Sequence, residues 1–123
     1  IQRLIDVAKD YGKKVLLHSC GSIYKVIPML IDAGIDGLHP LQAQAKNMDA
    51  NTLAREFKKD IAFVGGVDTQ DLLVNASPRE IKDEVYRLRE TFGENFIISP
   101  SHEALLPNVP LENVKAMAEV AQV

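Results

Sequence analysis

Val15-Leu16-Leu17-His18-Ser19-Cys20-Gly21-Ser22 is a short apolar run that ends in His-x-Cys and passes into a Gly-Ser turn. It reads as a buried strand whose last residue and following loop present an imidazole and a thiol together. Cys20 is the one cysteine of the chain. Placed at a strand end, the pair suggests half of a metal site on the catalytic face of a barrel, with His102 as the candidate for the other half.

On both sides of this stretch strands and helices alternate. Ile1, Leu4, Ile5 and Ala8 have helical spacing, which predicts a helix from about Ile1 to Tyr11 closed by Gly12. It has no capping residue before it, so the chain reads as cut from a longer protein in mid-helix. The first strand is expected over Lys14 to His18. Ser22 is expected to cap a helix with Ile23, Val26, Ile27, Leu30 and Ile31 on one face. Pro28 should kink that helix or mark the true start of its second half, and Gly34 should end it. Asp36-Gly37-Leu38-His39-Pro40 reads as a second strand closed by its proline.

Leu41 to Met48 reads as loop, and Asp49 as the cap of a helix carrying Leu53, Ala54 and Phe57. Ile61 to Val64 is a continuous apolar run, as in parallel strands buried on both faces. Gly65-Gly66-Val67-Asp68-Thr69-Gln70 is expected as loop. Ser77-Pro78-Arg79-Glu80 has a capping serine, a proline at the first helical position and a glutamate to complete the box. The buried stripe of that helix should be Ile81, Val85, Leu88 and Phe92, with Gly93 closing it. Phe96 to Ser99 is the fourth strand and Pro100 to Pro110 a loop. A last helix begins near Leu111 with Val114, Met117 and Ala121 inward.

Helix followed by four strand-helix units implies an α/β fold with a parallel sheet and right-handed crossovers. Short units ending in polar, Gly- or Pro-marked loops have the rhythm of a (β/α)8 barrel, whose active sites lie at the C-terminal strand ends. A whole barrel takes ~250 residues. The 123 residues therefore read as a single partial domain, residues 1–123, the C-terminal half of a TIM barrel. A small doubly wound sheet is the alternative, but no Gly-rich nucleotide fingerprint follows the first strand.

Composition narrows the function. At 46% hydrophobic the chain can bury one ordinary core. A net charge of -3 with both signs interspersed leaves no basic stripe for nucleic acid. No apolar run has membrane-spanning length and no signal pattern opens the chain. A single cysteine cannot form an internal disulfide, which fits a reducing cytoplasm.

His18 and Cys20 are donors zinc accepts, and catalytic zinc takes three protein ligands with one position open. The alternative is a cysteine packed as a small apolar residue beside a hydrogen-bonded histidine. His102 lies just past the fourth strand in Ser99-Pro100-Ser101-His102-Glu103 and can meet the pair across a ring of strand ends, as ligand or as acid-base residue. Glu103 can ligate, orient His102 or face solvent. His39 ends the second strand, and Gln42 in the next loop can hydrogen-bond a substrate. Asp68 follows two glycines that let backbone approach a ligand; alternatively, Asp68 or Thr69 starts a short helix around Asp71 to Val74.

The stretches His18-Ser19-Cys20-Gly21-Ser22, Ala33-Gly34-Ile35-Asp36, His39-Pro40-Leu41-Gln42, Val64 to Gln70, Ser99-Pro100-Ser101-His102 and Val109 to Val114 together resemble the uroporphyrinogen decarboxylase superfamily. That superfamily holds the haem-pathway decarboxylase and cobalamin-dependent methyltransferases, including methylcobamide:coenzyme M methyltransferases. The His-x-Cys pair resembles the methyltransferase branch. There the pair and a later cysteine bind a zinc that activates a thiol to accept a methyl group from a corrinoid. The resemblance implies zinc on His18, Cys20 and, where the later cysteine would stand, His102.

In this reading Asp68 and Glu103 take catalytic or supporting roles and Gln42 and His39 substrate contacts; for His39 the alternative is a hydrogen-bonded structural histidine, the commoner case for a lone one. The resemblance implies a corrinoid such as methylcobalamin as substrate or partner-borne cofactor, and a corrinoid protein or free cobamide and a small thiol as partners. True decarboxylases also have a histidine near His102 but lack His-x-Cys and use no metal. Decarboxylation of tetrapyrrole acetate side chains is therefore a second reading, and a non-catalytic corrinoid- or tetrapyrrole-binding module a third. These residues alone, with two open sheet edges, are expected to be inactive and to self-associate.

Overall fold

Four parallel strands form one sheet in the order β1-β2-β3-β4: Leu16–His18, Gly37–Leu41, Ala62–Val67 and Phe96–Pro100. The computed structural model describes residues 1–121. Six α-helices cover the sheet: α1 Gln2–Asp10, α2 Ile27–Asp32, α3 Ala50–Phe57, α4 Leu72–Asn75, α5 Pro78–Phe92 and α6 Leu111–Ala121. Sequential neighbours pair in chain order, as expected for consecutive strand-helix units of a (β/α)8 barrel.

The helix signals work locally. Asp49 accepts the Thr52 N–H at 2.9 Å and caps α3. Ser77 and Glu80 close the capping box of α5, with Pro78 in its first turn. The buried side of α5 is Ile81, Val85, Leu88 and Phe92. Phe92 stacks on Phe96 of β4 at 4.6 Å between ring centroids and tilts against Phe63 of β3 at 5.3 Å. Each such fully buried side chain contributes about 1.5–3 kcal/mol.

Several expectations need correction. β1 starts at Leu16, not Lys14, and it is not buried: Leu16 and His18 are exposed, because β1 is an edge of the sheet. Ser22 caps no helix. Its hydroxyl donates to the Lys46 carbonyl at 2.6 Å, a 3-10 turn spans Tyr24–Val26, and Pro28 marks the start of α2. Pro40 does not close β2, which continues to Leu41 with a register shift against β3.

Gly65 and Gly66 lie inside β3, not in a loop. Gly65 pairs with Leu41, and a Cβ there would stand 2.5 Å from the Leu41 nitrogen. The glycines thus allow close approach of a neighbouring strand, where a loop approaching a ligand was expected. On α6 the buried residues are Asn113, Ala116 and Met117, so Val114 and Ala121 are only half-buried. Asn113 turns inward because its amide donates to the Leu73 and Ala76 carbonyls, at 3.0 and 2.9 Å, at the end of α4.

At the N-terminal end of the sheet Asp36 ties α1 to the strands. It accepts from Lys9, from the Val15 N–H at 2.7 Å and from Lys14 at 3.2 Å. The Lys9 hydrogen bond, then that of Val15, holds its carboxyl down at about 2. A carboxyl depressed on folding stabilises fully above its unfolded value of about 4, and the contribution disappears as pH falls through about 2. Asp36→Asn is therefore expected to lower stability at pH 7 and to flatten the acid limb between pH 4 and 2, read by denaturant midpoints across that window.

Candidate functional site

Because the strands are parallel and in sequential order, their C-terminal ends bring four loops to one end of the sheet. His18 ends β1 and lies in register opposite His39 of β2. Their Nδ1 atoms are 3.0 Å apart and their rings 5.0 Å apart, tilted by 56°. The chain turns at Gly21, φ +80°, and brings the exposed Cys20 Sγ to 3.4 Å from His18 Nε2. The Gly21 N–H donates to Gln42 Oε1 at 2.8 Å, so Gln42 fastens this loop to the end of β2.

From the other edge Glu103 reaches His18. Its Oε1 lies 3.0 Å from His18 Nε2, and both side chains keep solvent contact. His102 is half-buried, and its Nδ1 sits 3.0 Å from both Thr69 Oγ1 and Ser101 Oγ. Ser101 is 1% exposed and accepts the Thr69 N–H at 3.2 Å, so the β3 and β4 loops are joined just behind His102. A cavity of about 510 Å³ opens here, lined by Cys20, Gln42, Thr69, Gln70, His102, Glu103, Ala104, Leu106 and Asn108.

Asp68 does not line this cavity. It is buried, and its carboxylate accepts the backbone N–H groups of Gln70, Asp71 and Leu72 at 3.1, 3.0 and 3.1 Å. Burial alone would raise its carboxyl, but the N–H donors of Leu72, Gln70 and Asp71 outweigh that and hold it below the ordinary range. Of the two roles left open for Asp68, the structure displays the turn that starts α4.

Thr69 reads from the sequence only as a possible helix start, and Ser101, Gln70, Leu106 and Asn108 are not singled out there as site residues. Ser and Thr beside a loop histidine are common, and no spacing rule links residues on different loops. Among the described residues no three His, Cys, Asp or Glu side chains form a metal-holding group. His18 and Cys20 do stand as two ligands of one ion would. Tetrahedral zinc with bonds of about 2.3 Å to sulfur and 2.0–2.1 Å to nitrogen separates such donors by about 3.6 Å. His102 shares the cavity with Cys20 but is not brought to the pair.

A parallel barrel segment with its polar side chains gathered at the C-terminal strand ends has the architecture of a barrel enzyme. The uroporphyrinogen decarboxylase (URO-D) family model matches residues 1–123, and the chain belongs to that family. Among solved structures it is similar to a methyltransferase from Methanosarcina mazei, with 25% sequence identity and a TM-score of 0.72. The match covers 97% of this chain and 34% of the methyltransferase, so the chain spans about a third of that protein. No curated protein matches. No helix among the described residues is long and apolar enough to cross a membrane.

Proposed function

We propose that this chain forms part of the site of a zinc-dependent methyl transfer between a corrinoid and a small thiol. The observation that carries the reading is the His18–Cys20 pair: an imidazole nitrogen and an exposed thiol 3.4 Å apart at a strand end. Cys20 of the pair lines a cavity whose wall also holds His102, the third donor in this reading. When bound, zinc supplies a Lewis acid that lowers the pKa of a coordinated thiol and keeps it as thiolate.

The other roles belong to the chain's own residues. Gln42 holds the Cys20 loop through the Gly21 N–H. Thr69 and Ser101 engage Nδ1 of His102, so Nε2 is the nitrogen through which that ring would bind zinc. Glu103 contacts His18 and lines the cavity, where it can orient the imidazole or a substrate. Gln70 and Asn108 add amide groups for a polar substrate, and Leu106 adds an apolar surface.

The family match also supports a second reading, decarboxylation of tetrapyrrole acetate side chains with His102 as a polar contact. In that reading Cys20 is only packed. Its exposure on the cavity wall favours the first.

The deciding experiment is zinc stoichiometry of the full-length protein purified anaerobically, with Cys20→Ser and His102→Ala alongside. One zinc per chain in the parent, lost in both variants, is the expected result. A parent that binds no zinc under reducing conditions, with turnover indifferent to chelators, would overturn methyl transfer and leave decarboxylation.

A further inference from the structure

We infer that Glu103 selects the methyl acceptor by charge: the cavity takes a small thiol whose tail is an ammonium and rejects one whose tail is a sulfonate or carboxylate. The inference rests on the methyl-transfer reading proposed above and names the class of thiol that it left open. It does not depend on a metal.

Charge is unevenly placed in the cavity. Among the described residues that line it, Glu103 is the one carboxylate, and none is a lysine or arginine. Gln42, Gln70 and Asn108 contribute neutral amides, and Leu106 contributes apolar surface. An anionic tail would meet a like charge on this wall with no cation to offset it. An ammonium would meet its counter-ion.

Glu103 is placed for that role. Its Oε1 lies 3.0 Å from His18 Nε2. A carboxylate can only accept, so the contact is a hydrogen bond from His18 Nε2–H, and it holds Glu103 at this end of the cavity. The Glu103 side chain is 68% exposed, which leaves its other oxygen open to a ligand. Cys20 Sγ comes within 3.4 Å of the same Nε2, so thiol and carboxylate adjoin one nitrogen. A two-carbon thiol arriving beside Cys20 brings its tail to Glu103. In the transfer its sulfur bonds to the methyl carbon, the thiol proton is lost, and the electron pair of the broken cobalt–carbon bond stays with the corrinoid.

The test is calorimetric binding of three methylated acceptors of one chain length to the full-length protein: methylthioethylamine, methylthioethanol and methylthioethanesulfonate. Their sulfur does not ionise, so their affinities report the tail alone. The amine is expected to bind about 10-fold more tightly than the sulfonate, with the alcohol between them. Glu103→Gln should erase most of that difference, and raising the ionic strength to about 0.5 M should shrink it in the parent. Equal affinities in the parent, or a sulfonate that binds best, would overturn the inference, because groups elsewhere in the longer protein would then outweigh Glu103. An amine preference unchanged in Glu103→Gln would overturn it too, because another group would be making the selection.

If the glutamine variant fails to fold, as judged by thermal unfolding, the salt series decides: a preference indifferent to ionic strength is not electrostatic and refutes the inference. Turnover separates this inference from the reading beneath it. Methylcobalamin is the donor, and cysteamine, mercaptoethanol and mercaptoethanesulfonate are the acceptors. Transfer to none of them overturns the methyl-transfer reading and this inference with it. Transfer that favours the sulfonate overturns this inference alone.

Discussion

Gly65→Ala is expected to remove more than about 4 kcal/mol of stability, which would leave little of the fold populated. The added Cβ would stand 2.5 Å from the Leu41 nitrogen and 3.2 Å from its Cα and carbonyl oxygen. All three are backbone atoms of the neighbouring strand, so no side chain can swing aside. The residue also sits at φ +129°, where L side chains are strained. Relief requires β2 and β3 to separate at the residues that carry His39 and Gln42.

Gly12→Ala is the matched control. It too has a positive φ, +65°, but a Cβ there meets nothing within 4 Å. Its cost should be only about 1 kcal/mol. Urea midpoints of the two variants measure the difference. If both shift equally, backbone strain alone accounts for Gly65, and the close approach of the two strands has no energetic weight.

Asp68→Ala should cost about 2–4 kcal/mol, because three backbone N–H groups that now donate to a charged acceptor would lose it. The loss also reaches the site. Thr69 follows Asp68 directly and contacts His102 Nδ1 at 3.0 Å. A loosened turn at residues 68–72 should therefore let His102 move away from the cavity wall. Asp68→Asn keeps one acceptor oxygen and should fall between parent and alanine in stability.

The two variants separate an anchoring role from a chemical one. If Asp68 only shapes the turn, activity of the full-length protein should decline in step with stability along the series. If its carboxylate acts on substrate, Asp68→Asn should lose activity while its denaturation midpoint stays near that of the parent.

Much of the architecture was legible because its signals are local. The capping box at Ser77 and Glu80 and the stripe Ile81, Val85, Leu88 and Phe92 depend only on helical geometry within one segment. The four apolar runs between helices implied parallel strands, and the structure pairs them in chain order. Errors came where one segment's conformation depends on another. Gly65 and Gly66 looked like a loop because glycine is frequent in loops, yet they lie in β3 because Leu41 approaches there. Ser22 had the chemistry of a cap but found the Lys46 carbonyl on another loop.

The site divides in the same way. His18, Cys20, His39, Gln42, Glu103 and His102 could be named from their positions at strand ends. The shared Nδ1 contact of His18 and His39, the reach of Glu103 to His18 Nε2, and the enclosure of His102 by Thr69 and Ser101 could not.

The sequence by itself determined the alternation of strands and helices and which loop carries each candidate residue, because periodicity and caps act within one segment, although it ended β2 and β3 too early. Only the tertiary structure decided which of those residues touch. Contacts across strands depend on register and on close backbone approach, and both arise from the packing of segments distant in the chain.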